Sequence, residues 1–174
     1  LGWKDEFSTP LFTQRQQFYA RKLGLDSSYT PQMVVDGKYE FVGSNLGKAQ
    51  QAISNASREA KAKIEVSSKD ASLKINVTDM PSHNDSTIYL AIAENNLFSN
   101  VKRGENAGSK LEHISVVREL QMIGKIPNSL SNIALEASYQ IQGNWKTENL
   151  KFVVFIQENE SRRILGVTSF TKKN

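Results

Sequence analysis

The hydrophobic period of the chain changes once, near Lys61, and this constrains the fold more than any other feature. Before that point apolar residues recur at helical spacing on either side of one short hairpin. After it they alternate, residue by residue, in short runs divided by turn residues. A period of 3.6 buries one stripe of a helix and a period of 2 buries one face of a strand, so the two stretches have different packing needs.

The first helix is expected from Pro10 to Leu23. The Thr9 hydroxyl can accept an orphan backbone N–H, and Pro10 fits the first helical position, where no N–H is required. Leu11, Phe12, Phe18, Tyr19 and Leu23 form its apolar stripe, and Gly24 is a left-handed stop. Asp36-Gly37, between Met33-Val34-Val35 and Tyr39 to Val42, signals a tight hairpin. Pro31 stands just ahead of the first of these strands, where a proline is tolerated. A second helix is expected from Asn45 to Ala62. Ser44 is its cap, and Leu46, Ala49, Ala52, Ile53, Ala56 and Ala60 form its buried face.

The strands expected beyond Lys61 are Lys63–Ser67, Ser72–Thr78, Ile88–Ala93, Leu97–Lys102, His113–Ile123, Ala134–Gln142, Lys151–Gln157 and Ile164–Phe170. Leu111, Ile114, Val117 and Leu120 also fit a helix, but Val116-Val117 and the alternation through Met122 favour a strand. Short strands at this spacing indicate an antiparallel sandwich. The class is therefore α+β, with a first unit over 1–62 and a second over 63–174.

The first unit is incomplete by itself. One two-stranded hairpin is marginal in water and needs further strands or helical cover. Helix, hairpin, helix is the second half of a thioredoxin-like α/β domain, whose first half would supply the inner parallel strands. Without them the strand Met33–Val35 leaves an edge of unpaired N–H and C=O groups. The chain opens at Leu1 rather than Met, and its first nine residues lack the basic-then-apolar pattern of a signal peptide. Either an upstream segment has been removed, or the sequence is part of a longer chain.

Composition sets the limits on chemistry. Among 174 residues there is no cysteine, which excludes a disulfide, a thiolate nucleophile and a Cys-ligated zinc site within the sequence. Lys and Arg number 22 against 18 Asp and Glu, and the excess of four is dispersed rather than gathered into a stripe, so no nucleic-acid partner is expected. No apolar run is long enough to span a bilayer. Gly43-Ser44-Asn45-Leu46-Gly47-Lys48-Ala49 falls between strand and helix but lacks both the four-residue glycine spacing and the Ser or Thr of a phosphate loop. His83 and His113 are the only histidines and have no regularly spaced companions, so neither a metal site nor any other cofactor is expected. No nucleophile-elbow pattern presents a serine.

Several runs together resemble one known family. They are Leu1-Gly2-Trp3-Lys4-Asp5, Ser8 to Gln16, Tyr29-Thr30-Pro31-Gln32-Met33-Val34-Val35-Asp36-Gly37 and Phe41-Val42-Gly43-Ser44. To these are added Arg103-Gly104-Glu105-Asn106-Ala107-Gly108 with Leu111, His113 and Val116-Val117-Arg118, and the closing stretch from Val153 to Gly166. Nearly the whole chain is similar to the bacterial thioredoxin-like family known as domain of unknown function twelve twenty-three. The resemblance implies an exported protein, periplasmic or secreted, that handles thiol–disulfide exchange when intact. It implies a cysteine motif upstream of the residues matching Leu1, and a cis Thr30-Pro31 bond whose two residues contact a protein or peptide thiol substrate. The missing strands would come from an N-terminal segment or from another chain. Arg103, Glu105, Asn106, His113 and Arg118 are then either a ligand site or a salt-bridged loop clamp. The alternative function is a non-enzymatic module that binds a partner through the sandwich.

Overall fold

The computed structural model describes residues 6–101 and 108–172. It is mixed α/β, with two helices and mostly antiparallel sheets. Helix α1 (Pro10–Lys22) starts as its sequence dictates: Thr9 is extended, its hydroxyl accepts from the Phe12 N–H, and Pro10 opens the first turn. Leu23 caps the C-terminus and Gly24 follows at φ 71°. Strands β1 (Gln32–Val35) and β2 (Tyr39–Val42) form the hairpin, with Asp36 and Gly37 both left-handed at 57° and 72°. Met33, Val35 and Tyr39 pack on a small core of Phe41 with Ala49 and Ala52 of α2 (Leu46–Ala56).

Two expectations for this helix are corrected. Its cap is Asn45, whose Oδ1 accepts from the Lys48 N–H at 3.0 Å, and not Ser44. It ends at Ala56, six residues before Ala62, because the chain beyond is held elsewhere. The Lys61 ammonium donates to Asp36 and to the Ile164 carbonyl, and the Ala62 N–H donates to the Leu165 carbonyl. The expected buried stripe is also too wide. Ala49 and Ala52 are buried, whereas Leu46 and Ile53 are 69% and 58% exposed.

The remaining chain forms β3 (Lys63–Lys69), β4 (Ser72–Thr78), β5 (Ser86–Glu94), β6 (Leu97–Asn100), β7 (Lys110–His113), β8 (Val116–Ile126), β9 (Ile133–Ser138), β10 (Leu150–Glu158) and β11 (Ile164–Thr171). A four-stranded sheet has the order β11-β10-β5-β8, a three-stranded sheet the order β3-β4-β9, and β6-β7 is a separate hairpin. The two larger sheets enclose one core. Leu73, Ile75 and Val77 of β4 meet Ile88, Leu90 and Ile92 of β5 and Phe152, Val154 and Ile156 of β10. Alternation puts polar Glu65, Lys74, Asn76 and Glu136 on the opposite face of the smaller sheet.

The expected single strand His113–Ile123 is two strands. Ser115 is left-handed at φ 54°, and its N–H and hydroxyl both donate to Asn95 Oδ1, so the chain turns there and separates β7 from β8. The expected strand Ala134–Gln142 stops at Ser138: the Tyr139 N–H still donates in register to the Ala71 carbonyl, but Asp70 and Ala71 are left-handed and turn the partner strand away.

The hairpin turn is fastened to the larger sheet. The Ile164 N–H donates to the Asp36 carbonyl at 3.1 Å. A Cβ on Gly37 would lie 1.9 Å from the Arg162 carbonyl oxygen, so both the positive φ and the close approach require glycine. Asp36 closes this junction with Lys61 at 2.7 Å. Burial pushes the Asp36 carboxyl up, against the downward pull of the Lys61 charge.

Candidate functional site

The strongest candidate lies between α1 and the edge of the hairpin. The Thr30-Pro31 peptide bond is cis, as the resemblance implies. Pro31 is held from the far strand, where the Gly43 N–H donates to its carbonyl at 2.9 Å and a Cβ on Gly43 would be in contact with the proline ring. Thr30 and Pro31 are themselves exposed. Beside them a groove of about 510 Å³ is walled by Phe12, Arg15, Gln16 and Tyr19 of α1 and floored by Gln32 and Val34 of β1. Among the described residues β1 pairs only with β2, so its other edge has no neighbouring strand.

Hydrogen bonds fix the groove's position. Gln16 Nε2 donates to the Tyr29 carbonyl at 3.1 Å and to Gln32 Oε1 at 3.3 Å, which ties the middle of α1 to the approach to β1. The Tyr29 hydroxyl donates to Glu40 Oε1, which also accepts from Gln32 Nε2 at 3.1 Å. That bond to a carboxylate pushes the Tyr29 phenol up to about 12, so it stays a donor at any physiological pH.

Two of these α1 side chains, Arg15 and Tyr19, are anchored by Gln157, which is fully buried. Its Oε1 accepts from Arg15 Nη2 at 2.7 Å, and its Nε2 donates to the Tyr19 hydroxyl at 2.6 Å and the Arg162 carbonyl at 2.7 Å. The Arg15 guanidinium lies within 6 Å of the Tyr19, Tyr89 and Phe155 ring centres, at 5.3, 5.6 and 5.8 Å. Sequence reasoning missed Gln157 and Arg15. A glutamine ending the apolar run of β10 gives no distinct signal, because an exposed strand end carries the same residue.

Chemically, the site combines an unpaired strand edge, among the described residues, with a lined groove. A bare strand edge supplies backbone donors and acceptors, and the groove supplies aromatic and amide walls. No thiol is present to exchange with a disulfide.

The second expected group is only partly visible. Arg103, Glu105 and Asn106 lie outside the described residues, as do Trp3, Lys4 and Asp5. His113 and Arg118 converge on one ring: His113 meets Phe7 edge-on at 5.2 Å, and the Arg118 guanidinium lies 5.4 Å from the same ring centre. His113 Nε2 is 2.9 Å from the Ser99 hydroxyl. Arg118 Nη1 donates to Glu94 Oε2 at 3.0 Å, and the other carboxylate oxygen accepts from the Lys146 N–H. Glu94 is buried, and these two donors satisfy a charge that burial alone would make costly. His83 links two loops through the carbonyls of Asn84 and Leu130. Among the described residues no cluster of His, Asp and Glu could hold a metal ion, and no helix is long and apolar enough to cross a membrane.

The family model described as protein of unknown function (DUF1223) matches residues 1–157. A crystal structure of an Agrobacterium tumefaciens protein, solved by a structural genomics consortium, is similar to this chain with a TM-score of 0.77 and 19% sequence identity. The match covers 100% of this chain and 76% of that one. At that identity the likeness shows a shared fold. No curated protein matches the chain.

Proposed function

The chain belongs to the family of proteins of unknown function DUF1223, and on that premise we propose that it is the larger, C-terminal portion of an exported thioredoxin-like protein that exchanges thiols and disulfides. In this reading residues 1–62 are the second half of a thioredoxin-like domain, and residues 63–174 are an antiparallel β-sandwich. The helix–hairpin–helix order supports the first assignment, and two sheets around one core support the second.

One observation carries the reading: among the described residues the β1 edge lies open directly beside a groove whose rim is Thr30 and Pro31. An inner strand of a complete α/β sheet would cover part of that edge, and a substrate backbone would pair with the rest. Thr30 and Pro31 then contact the substrate, while Arg15 and Tyr19 form the far wall. The thiolate comes from a pair of cysteines on the segment that completes the sheet, either upstream in the same polypeptide or on another chain. One thiolate attacks a substrate sulfur to give a mixed disulfide. The second displaces it, leaving the substrate reduced and the cysteine pair oxidised. The longer chain of the solved structural relative supports room for such a segment.

The test is the intact gene product. Two cysteines should precede the residue matching Leu1, and the full-length protein should reduce a dye-labelled peptide disulfide. A full-length sequence with no cysteine pair overturns the reading. In that case the absence of cysteine throughout these 174 residues favours the second one, a non-enzymatic module that binds a partner through its sheets.

A further inference from the structure

A second groove lies on the outer face of the four-stranded sheet; it shares Arg15 and Tyr19 with the first, and the thiol reading makes no use of the rest. One register row across that face is Val167, Phe155, Tyr89 and Met122. Helix α1 lies along the same face, and between helix and sheet is an open groove of about 540 Å³. Its apolar lining includes Leu11, Phe18, Leu120 and Met122, of which Leu11 and Met122 are more than half exposed.

The charge around this groove is one-sided. Arg15, Arg21 and Arg162 line it and no Asp or Glu does. Among the described residues none of these three guanidinium groups has a carboxylate partner. Arg15 donates to the neutral Gln157 and Tyr19, and the Arg162 guanidinium stacks 3.7 Å from the Phe18 ring centre. Arg118 and Arg163, by contrast, are each paired with a buried glutamate. Arg15 and Arg162, held against aromatic rings without a counter-charge, form with Arg21 a surface prepared for an anionic partner.

We propose that this groove docks an extended, acidic polypeptide segment whose carboxylates meet the three arginines and whose apolar side chains lie on Leu11, Phe18 and Met122. From Leu11 to Arg21 the helix rises about 15 Å, a length that about five residues of extended chain cover. The lining residues of α1 run from Leu11 to Arg21, which suits a chain lying along the helix. The proposal requires no thiol, and Leu11, Phe18, Met122 and Arg162 line this groove and not the first, so either reading can fail without the other.

The probe is an end-capped, fluorescein-labelled hexapeptide alternating Glu and Leu, followed by anisotropy and by amide chemical shifts of the isotope-labelled chain. Saturable binding is expected, with shifts at Leu11, Phe18, Met122 and Arg162 and with affinity that falls as salt is added. A peptide with Lys in place of Glu should bind at least about tenfold more weakly, because like charges then face each other. Arg21→Gln and Arg162→Gln should each weaken binding several-fold. Leu11→Glu with Met122→Glu, both at exposed positions, should abolish it while the melting transition stays in place. The proposal is overturned by equal binding of the two peptides, by shifts located elsewhere, or by no saturable binding. It is also overturned if sodium decanoate binds these residues and the peptide does not, which would give the groove to a lipid-like carboxylate.

Discussion

The stretch before Lys61 and the stretch after it bury apolar surface by different means. The later stretch encloses its core between two sheets, and Phe152, Leu73, Ile88, Leu90 and Ile156 are wholly buried there. Among the described residues the earlier stretch buries Phe41, Ala49 and Ala52 around its hairpin and Ala20 in α1. It leaves Val42, Leu46 and Ile53 about half exposed or more and one edge of β1 unpaired among the described residues. Burial contributes roughly 25 cal/mol per Å² of apolar surface, so the sheets supply most of the stability. The helices and hairpin are held largely by what they attach to. A chain can thus hold a structurally dependent unit in place by fastening a few polar groups to an independent one.

The largest effect expected from this contrast is in the enclosed core. Phe152 lies against Tyr139 and Phe170, with ring centres 4.8 and 5.1 Å away. Phe152→Ala should cost about 3–5 kcal/mol, read as a shift of the urea midpoint at constant slope. Phe41→Ala should cost less in global unfolding and should act mainly on hydrogen exchange in β1, β2 and α2, because a weakly packed unit opens by itself before the whole. Equal losses in both would mean that the two stretches unfold as one.

Gln157 tests the fastening. Replacing it with Leu leaves Arg15, Tyr19 and the Arg162 carbonyl without their partner. A cost of about 1–3 kcal/mol is expected for buried polar groups that lose a bond. Exchange should rise along α1 while β5 and β10 stay protected. If β10 loses protection to the same degree, Gln157 is a core residue of the sheet and not an anchor for the helix.

What could be read from the sequence follows the same division. Strands β4, β5, β10 and β11 are legible because their apolar runs and flanking turn residues agree, and the cis Thr30-Pro31 bond is legible because the run around it carries the family resemblance. The length of α2 is not legible, since Ala56 and Ala60 keep helical spacing while Lys61 and Ala62 are already bound to Ile164 and Leu165, over a hundred positions away. The break at Ser115 is hidden for a similar reason: Asn95, which holds it, belongs to another turn. Arg15 and Gln157 are hidden because each looks ordinary until α1 lies on the sheet.

Acid should separate two carboxylates, Glu158 beside Arg163 and Asp36 beside Lys61. Burial alone would raise Glu158, but donors from Ser161 and Asn84 and the charge of Arg163 outweigh it and hold the carboxyl below its usual value. Its stabilisation is therefore present above the unfolded-state pKa and is lost as pH falls through the lower, folded one. Asp36 runs the other way. Burial raises it, so its folded form holds a proton more readily, and that contribution fades as pH rises through the raised value. Glu158→Gln should flatten the acid side of a melting-temperature profile, and Asp36→Asn should remove the opposing slope. Asn is well suited to the left-handed backbone at that position. A profile unchanged by both substitutions would mean that neither carboxylate is linked to folding.

The smallest effect is the one that bears most on how the first stretch is completed. Leu46 and Ile53 lie seven residues apart on α2 and are mostly exposed, so Leu46→Ser and Ile53→Ser should each change the stability of this chain by less than about 0.5 kcal/mol. If an upstream segment completes the sheet and covers α2, the same substitutions in the full-length protein should cost about 1.5–3 kcal/mol each, the value of a newly buried apolar side chain. The comparison of the two chain lengths in parallel urea titrations is therefore a measurement of cover. A difference between them identifies α2 as a buried helix of a larger unit, and equal, small effects mean that this face remains open to solvent in the intact protein as well.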